Sequence, residues 1–176
     1  GGLVAPESDT NPWHYKFSWN PRNVVLAGQG TAQFLENNKL KYIPYRRLFR
    51  QYRLIDIPGM GKWEVYANRD SLLYRDAYGL KDVKTLFRGT IRNQGFCDAW
   101  NALVRIGLTD ASFPIVDSDQ LSYHDLMEAF LGISEYSGSV KDRIAQLIDV
   151  EPDGEIMKKL EWLGLFSKRR IKVKDA

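Results

Sequence analysis

Hydrophobic positions change their spacing along this chain, and the changes divide it in two. Val24, Val25, Ala27, Gly28, Ala32 and Leu35 recur at roughly helical intervals. Asn20-Pro21 ahead of them is a helix start, because Asn accepts a backbone N–H as cap and proline loses nothing at the first helical position. The pattern predicts a helix to about Glu36, which Gly28 and Gly30 would weaken unless a sheet packs closely against it. Lys39–Ile43 reads as a short strand and Tyr45–Gln51 as a helical turn. Tyr52–Ile57 and Trp63–Ala67 read as a hairpin around Pro58-Gly59-Met60-Gly61. Ser71 is expected to cap a short helix that runs through Tyr78 and stops at Gly79. From Val83 to Arg92 the period is two, with Val83, Thr85, Phe87, Gly89 and Ile91 on one face. Thr90 and Arg92 share the other face with Arg88, which lies about 7 Å further back at strand rise. Gly95–Ile106 is a predicted helix carrying Phe96, Trp100, Leu103 and Ile106, and Gly107 ends it.

Beyond residue 108 the pattern is helical. Ser122-Tyr123-His124-Asp125 resembles a capping box with Asp in the acceptor place, opening a helix to about Leu131. Ser139 and Asp142 begin a second helix with Ile144, Leu147 and Ile148 on one stripe. A third runs from about Gly154 to Leu163, with Ile156, Leu160 and Leu163 inward. Lys168–Lys174 alternates enough to be a terminal strand, and residues 1–12, rich in Gly, Pro, Ser, Asp and Asn, form a loop or extended lead-in. The expected class is α+β, with a mixed α/β domain over 1–108 and a mainly helical subdomain over 109–176.

Composition narrows the function classes. A charge of +3, from 25 basic and 22 acidic residues, is too small to argue for a polyanion partner by itself. One cysteine excludes an internal disulfide, and Cys97 beside Phe96 and Trp100 reads as a packing thiol. Two histidines far apart in the chain leave zinc nothing to build a site from, so no metal is expected. No G-x-S-x-G is present and Cys97 has no histidine in local reach, so nucleophilic catalysis has no support. No apolar run approaches the roughly 18 residues of a membrane span and no charged-then-apolar run opens the chain. A cytoplasmic location with no membrane partner is expected.

The candidate chemistry lies in two arginine-bearing segments, Ala67-Asn68-Arg69-Asp70-Ser71 and Arg88-Gly89-Thr90-Ile91-Arg92-Asn93-Gln94-Gly95. The guanidinium fork matches the two oxygens of a carboxylate, Thr90 adds a hydroxyl, and Gly89 lets a ligand approach the backbone. Solvated charge at strand ends is the ordinary alternative. Lys39–Arg53 carries six basic residues, four aromatics and no acid, which is the argument for a nucleic-acid-binding module. Those basic positions straddle a predicted strand and helix, however, and need not form one surface. A purely structural dimerisation domain is the third class.

Several blocks of the chain resemble the glutamate-forming saccharopine dehydrogenases, also called saccharopine reductases. Asn68-Arg69-Asp70-Ser71 and Arg88-Gly89-Thr90-Ile91-Arg92 are similar to that family's N-R-D-S and R-G-T-L-R segments. Gly1-Gly2-Leu3-Val4-Ala5-Pro6-Glu7 is similar to its G-G-L-P-A-P-E, and Asn11-Pro12 with Tyr15-Lys16-Phe17-Ser18-Trp19 to its N-P-x-x-Y-K-F-S-W. Trp162-Leu163-Gly164-Leu165-Phe166-Ser167 matches its W-L-G-L-F-S. Ala67 and Cys97 stand where the family has prolines, and Asn93 where it has tyrosine.

The resemblance implies NAD(P)-dependent hydride transfer that links glutamate and aminoadipate semialdehyde to saccharopine. It implies a sheet domain of the type found at the C-terminal side of glyceraldehyde-3-phosphate dehydrogenase. For binding substrate, saccharopine or glutamate, it implies Gly2, Phe17, Arg69, Thr90, Ile91 and Arg92; Trp19 is implied as the neighbour of the cofactor. No general acid or base is assigned. The strand–G-x-G-x-x-G–helix fingerprint is missing, since Gly28-Gln29-Gly30 sits in a helical pattern without the third glycine. The segment therefore reads as the middle piece of an enzyme whose cofactor, NADP or NAD, belongs to the full-length protein; the isolated piece is expected to bind none and to be inactive. An unpaired sheet edge leads to the expectation of a homodimer.

Overall fold

The computed structural model describes residues 4–18, 20–27, 30–133 and 135–175. The chain falls into two units, 1–101 and 102–176.

In the first unit, a single 3-10 turn at Pro6–Ser8 is followed by the helix α1, Pro21–Ala27. Asn20 caps it as predicted, its Oδ1 accepting the Arg22 N–H at 3.0 Å. The helix does not continue to Glu36. Ala32–Glu36 is a strand, β1, in which Ala32 and Phe34 are buried and Gln33 and Leu35 less so. It turns through Asn37-Asn38, both at positive φ (50° and 61°), into β2, Lys39–Ile43, with Glu36 opposite Lys39. Two consecutive left-handed residues make the tight turn whose twist matches paired strands, and Asn tolerates that conformation. The outer edge of β1 decides its state. Gln33 exchanges backbone bonds with Arg69 and Ser71, and Leu35 with Leu86.

After the helical turn α2, Tyr45–Leu48, the predicted hairpin forms from β3, Arg53–Ile57, and β4, Gly61–Ala67. A helical turn, α3, covers Leu73–Ala77 and ends at Gly79 (φ 65°). Ser71 does not cap it. Asp70 Oδ1 accepts the Leu72 N–H at 2.7 Å, while the buried Ser71 hydroxyl accepts the Arg88 N–H at 2.9 Å. The predicted strand 83–92 is also shorter: only Gly89–Arg92, β5, pairs with β4, antiparallel, with Thr90 opposite Tyr66 and Arg92 opposite Glu64. Upstream of it the chain leaves β4 to meet Leu35. The sheet order is β3-β4-β5.

The helix α4, Phe96–Ile106, begins directly after β5. Glu64, 2% exposed on β4, holds its start. One carboxylate oxygen accepts the Gly95 N–H at 2.6 Å and the other accepts the Cys97 N–H at 2.8 Å. A helix start offers unpaired N–H groups and a partial positive charge, so a buried anion is satisfied there. Phe96 and Trp100 stack at 5.4 Å, and Trp13 meets both edge-on. Phe49 adds Tyr66 and Trp100 to the same aromatic core.

In the second unit, α5 (Tyr123–Phe130) and α6 (Val140–Ile148) both start with complete capping boxes, Ser122 with Asp125 and Ser139 with Asp142. The third helix, α7, spans Glu155–Trp162. Met127, Ile144, Ile148, Met157 and Leu160 are fully buried, but Leu163 is 37% exposed, because its place beyond the helix end turns it off the inward stripe. The basic tail is not a strand. It makes one bridge, Arg170 with Ser122, and Ile171 alone is buried. Among the described residues no helix is long and apolar enough to cross a membrane.

Two tests follow from this packing. Glu64→Gln keeps one acceptor but turns an amide N–H₂ against the other helix N–H. It should cost about 2 kcal/mol, the range for a hydrogen bond to a charged group, read from the urea midpoint; an unchanged midpoint would remove Glu64 as the anchor of α4.

The second concerns pH. The Ser122 hydroxyl, and then its N–H, hold the Asp125 carboxyl below the usual range, and Ser139 does the same for Asp142. A carboxyl lowered on folding contributes stability above its unfolded value of about 3.9, and loses it as pH falls through the folded value. The difference in urea midpoint between the natural chain and Asp125→Asn/Asp142→Asn should therefore be full at pH 7 and shrink below about pH 4. A difference independent of pH would contradict this assignment.

Candidate functional site

The loop 11–15 is built by one side chain. Asn11, buried, accepts the Trp13 N–H through Oδ1 at 3.0 Å and donates through Nδ2 to the Tyr15 carbonyl at 3.0 Å. That closure presents Tyr15 toward Arg92, whose guanidinium carbon lies 4.7 Å from the Tyr15 ring centroid and 5.1 Å from that of Phe96. Phe17, half exposed, meets Tyr15 edge-on at 5.3 Å. Asn93 donates to the His14 carbonyl at 3.1 Å and ties the loop to the end of β5.

Arg92 is stacked rather than neutralised. Its cross-strand neighbour Glu64 has both oxygens engaged by α4. Arg92 Nη1 donates to the Ile91 carbonyl at 3.0 Å, and its enclosed Nε has no hydrogen-bond partner. Aromatic faces attract a cation without cancelling its charge. Burial raises the Tyr15 and Tyr66 hydroxyls, and the Arg92 cation opposes both shifts. Each phenol is neutral at pH 7.

Thr90 is buried, and its hydroxyl accepts from Asn68 Nδ2 at 2.9 Å. The Asn68 backbone N–H donates to the Arg88 carbonyl at 2.9 Å. Arg69 follows in the left-handed region (φ 55°), a conformation unusual for a residue with a Cβ. Its side chain is exposed and forms no ion pair within 4.0 Å among the described residues. Gly89 serves packing, not ligand approach: a Cβ there would stand 2.5 Å from Phe87 and 2.6 Å from Val65.

Phe17, Thr90, Ile91 and Arg92 are thus tied together by Tyr15 and β5, and Arg69 joins them through the Asn68 junction with Thr90 and Arg88. Gly2 and Trp19 lie outside the described residues, as do Gly28 and Gln29. Asn11, Tyr15 and Glu64 are the residues that sequence reasoning passed over. An Asn two places before a buried Trp is a readable turn signal; Glu64 gives none, because its partner helix lies 31 residues away.

Cys97 is fully buried, and burial first, then the Glu64 charge, pushes its thiol well above the ordinary range, so it is inert packing. No group of three or more His, Cys, Asp or Glu able to hold a metal occurs among the described residues. In the basic segment, Lys39, Lys41, Arg46, Arg47 and Arg50 are exposed. Arg53 instead lies over the Phe34 and Phe87 rings and pairs with Glu36 at 2.5 Å.

Residues 1–175 match the family described as the saccharopine dehydrogenase C-terminal domain. The Saccharomyces cerevisiae saccharopine dehydrogenase (NADP(+), L-glutamate-forming) is 34% identical over 97% of this chain and 39% of its own length. The mouse mitochondrial alpha-aminoadipic semialdehyde synthase is 33% identical over 97% of this chain and 19% of its own. The solved apo structure of the histidine-tagged S. cerevisiae saccharopine dehydrogenase (L-Glu forming) superposes with a TM-score of 0.79 at 30% identity, covering 98% of this chain and 40% of that one. The chain spans about two fifths of the yeast relative. With the family's arginine segments standing on one sheet and its loop, this chain belongs to the saccharopine dehydrogenase C-terminal domain family.

Proposed function

We propose that this chain is the substrate-holding part of an oxidoreductase of lysine metabolism, one that interconverts saccharopine with glutamate and aminoadipate semialdehyde. The observation that carries the reading is Arg92, a cation stacked between Tyr15 and Phe96 that forms no ion pair within 4.0 Å among the described residues. Saccharopine has three carboxylates and a secondary amine, and such a ligand needs preset cations in a site that excludes water. Arg69 and Arg92 supply forks, while Ile91 and Phe17 supply apolar wall. The sheet with its covering helices is read as the glyceraldehyde-3-phosphate-dehydrogenase-like C-terminal type, with domains over 1–108 and 109–176.

The yeast relative's name specifies NADP(+), and a nicotinamide nucleotide would accept or supply the hydride. The described residues do not cradle one. Their strand–glycine–helix turn is β5-Gly95-α4, and the amides at its helix start are held by the Glu64 carboxylate, whose charge opposes a phosphate there. The nucleotide, NADP or NAD, is therefore assigned to a part of the protein beyond these residues, and the segment alone is expected to be inactive. The cytoplasm is the proposed location; the mouse relative is mitochondrial by name.

Homodimerisation belongs to the same proposal. β2 lies at the end of its sheet with Leu40 and Tyr42 60% and 61% exposed, which supports pairing with a second copy. Light scattering across a tenfold dilution at micromolar protein should show a dimer. A monomer throughout would remove this part.

In the whole protein, Arg69→Ala should cost about 2–5 kcal/mol in saccharopine kcat/KM, the range for removing one partner of a desolvated charge pair. Arg69→Lys should recover only part, since an ammonium cannot make two parallel bonds. Steady-state kinetics with saccharopine decide it, and unchanged constants would take Arg69 out of the site.

A further inference from the structure

We propose that Arg88 is a further carboxylate-binding residue of this site and that, with Arg69, it holds the glutamate end of the substrate while Arg92 holds the other. The proposal rests on the reading of the site given above.

The row is defined by the packing of its reverse side. A Cβ on Gly89 would collide with Phe87 and Val65, so 87, 89 and 91 face the β4 side chain Val65 and the Phe34 ring that Phe87 meets. Thr90 and Arg92 of β5 lie on the opposite face, since strand side chains alternate, and Arg88, immediately before β5, continues that row with its carbonyl bonded to the Asn68 N–H just past β4. Arg88 and Arg92 stand at the ends of that row, about 13 Å apart at strand rise. Between them, the Thr90 hydroxyl is buried and occupied by Asn68. The cations are at the two ends.

Arg88 is held as Arg92 is held. Its guanidinium carbon lies 5.0 Å from the Tyr74 ring centroid, and Tyr74 stacks in turn on Tyr78 at 5.7 Å. It forms no ion pair within 4.0 Å among the described residues, unlike Arg53, whose cation is cancelled by Glu36. A guanidinium laid on an aromatic face keeps its forked edge open and loses little freedom on binding.

Arg69 is brought to the same end by backbone alone. The Arg88 carbonyl accepts the Asn68 N–H and the Arg88 N–H donates to Ser71, so these two bonds bracket Arg69. The Arg69 and Arg88 positions thus stand at one end of the row and Arg92 at the other. Saccharopine has the same asymmetry: its glutamate end carries two carboxylates and its aminoadipate end one. Matching charge to charge sets the direction of the substrate along β5.

The test uses the whole protein in the condensing direction, varying glutamate and aminoadipate semialdehyde separately. Arg88→Gln keeps both backbone bonds, so the fold should survive with an unchanged thermal midpoint. The glutamate KM should rise about tenfold or more, the semialdehyde KM should hold, and Arg88→Lys should recover part. Tyr74→Ala, which frees the guanidinium, should give a smaller rise that Tyr74→Phe does not. If Arg88→Gln leaves the glutamate KM unchanged while Arg69→Ala raises it, Arg88 is not a ligand-binding residue and the site reading survives. If neither variant moves it, the site reading itself fails and Arg88 falls with it. A rise confined to the semialdehyde, or a lowered thermal midpoint with both constants raised, would also overturn the proposal.

Discussion

The buried Glu64 carboxylate on the start of α4 is the interaction around which the first unit is arranged. It fastens β4 to a helix by bonds from a charged acceptor to two backbone donors, in a place where an unpaired carboxylate could not be tolerated. The aromatic core follows from it. With α4 pinned, Phe96 and Trp100 lie against Trp13 and Phe49, and the face of Phe96 is left for Arg92. Glu64 directs both oxygens to the helix, and its cross-strand neighbour Arg92 forms no ion pair within 4.0 Å among the described residues.

The arginines of this unit show two ways of ordering a guanidinium. Arg53 is stacked on two rings and also paired with Glu36, which makes it structural. Arg92 and Arg88 are stacked without a pair. Stacking restricts the side chain while leaving its charge available, and that combination lowers the entropic cost of gripping an anion. At Arg69 it is the backbone that is fixed, in a left-handed conformation held by its own and its neighbours' hydrogen bonds. A site assembled this way needs ring positions as much as it needs arginines.

The second unit is organised by local rules. Its capping boxes tie the starts of α5 and α6 to residues three positions on, and Met127, Ile144, Ile148, Met157 and Leu160 are fully buried along its three helices. Such interactions need no distant partner, and they are the ones legible in the sequence: both boxes and all three helices stand where the residue pattern predicts them. The basic tail departs from that pattern because alternation alone cannot make a strand. It needs an edge to pair with, and only Arg170 finds one.

The first unit divides along the same line. The hairpin at Pro58–Gly61, the Asn20 cap and the glycine stop at 79 were set by near neighbours in sequence, and the motif segments around Arg69 and Arg92 could be picked out from residue identity. What tertiary structure decided was everything carried by long-range partners. Ala32–Glu36 became a strand because Arg69, Ser71 and Leu86 offered it an edge, overriding an apolar spacing that suited a helix. Ser71 left its expected cap to hold Arg88, and Gly89 proved to make room for Phe87 and Val65. Glu64 and Tyr15 took their roles only when β4, β5 and the loop came together. Helical caps and turns are satisfied within a few residues, so sequence determines them; sheet edges and stacked cations are satisfied across dozens, so only the folded chain can choose their partners.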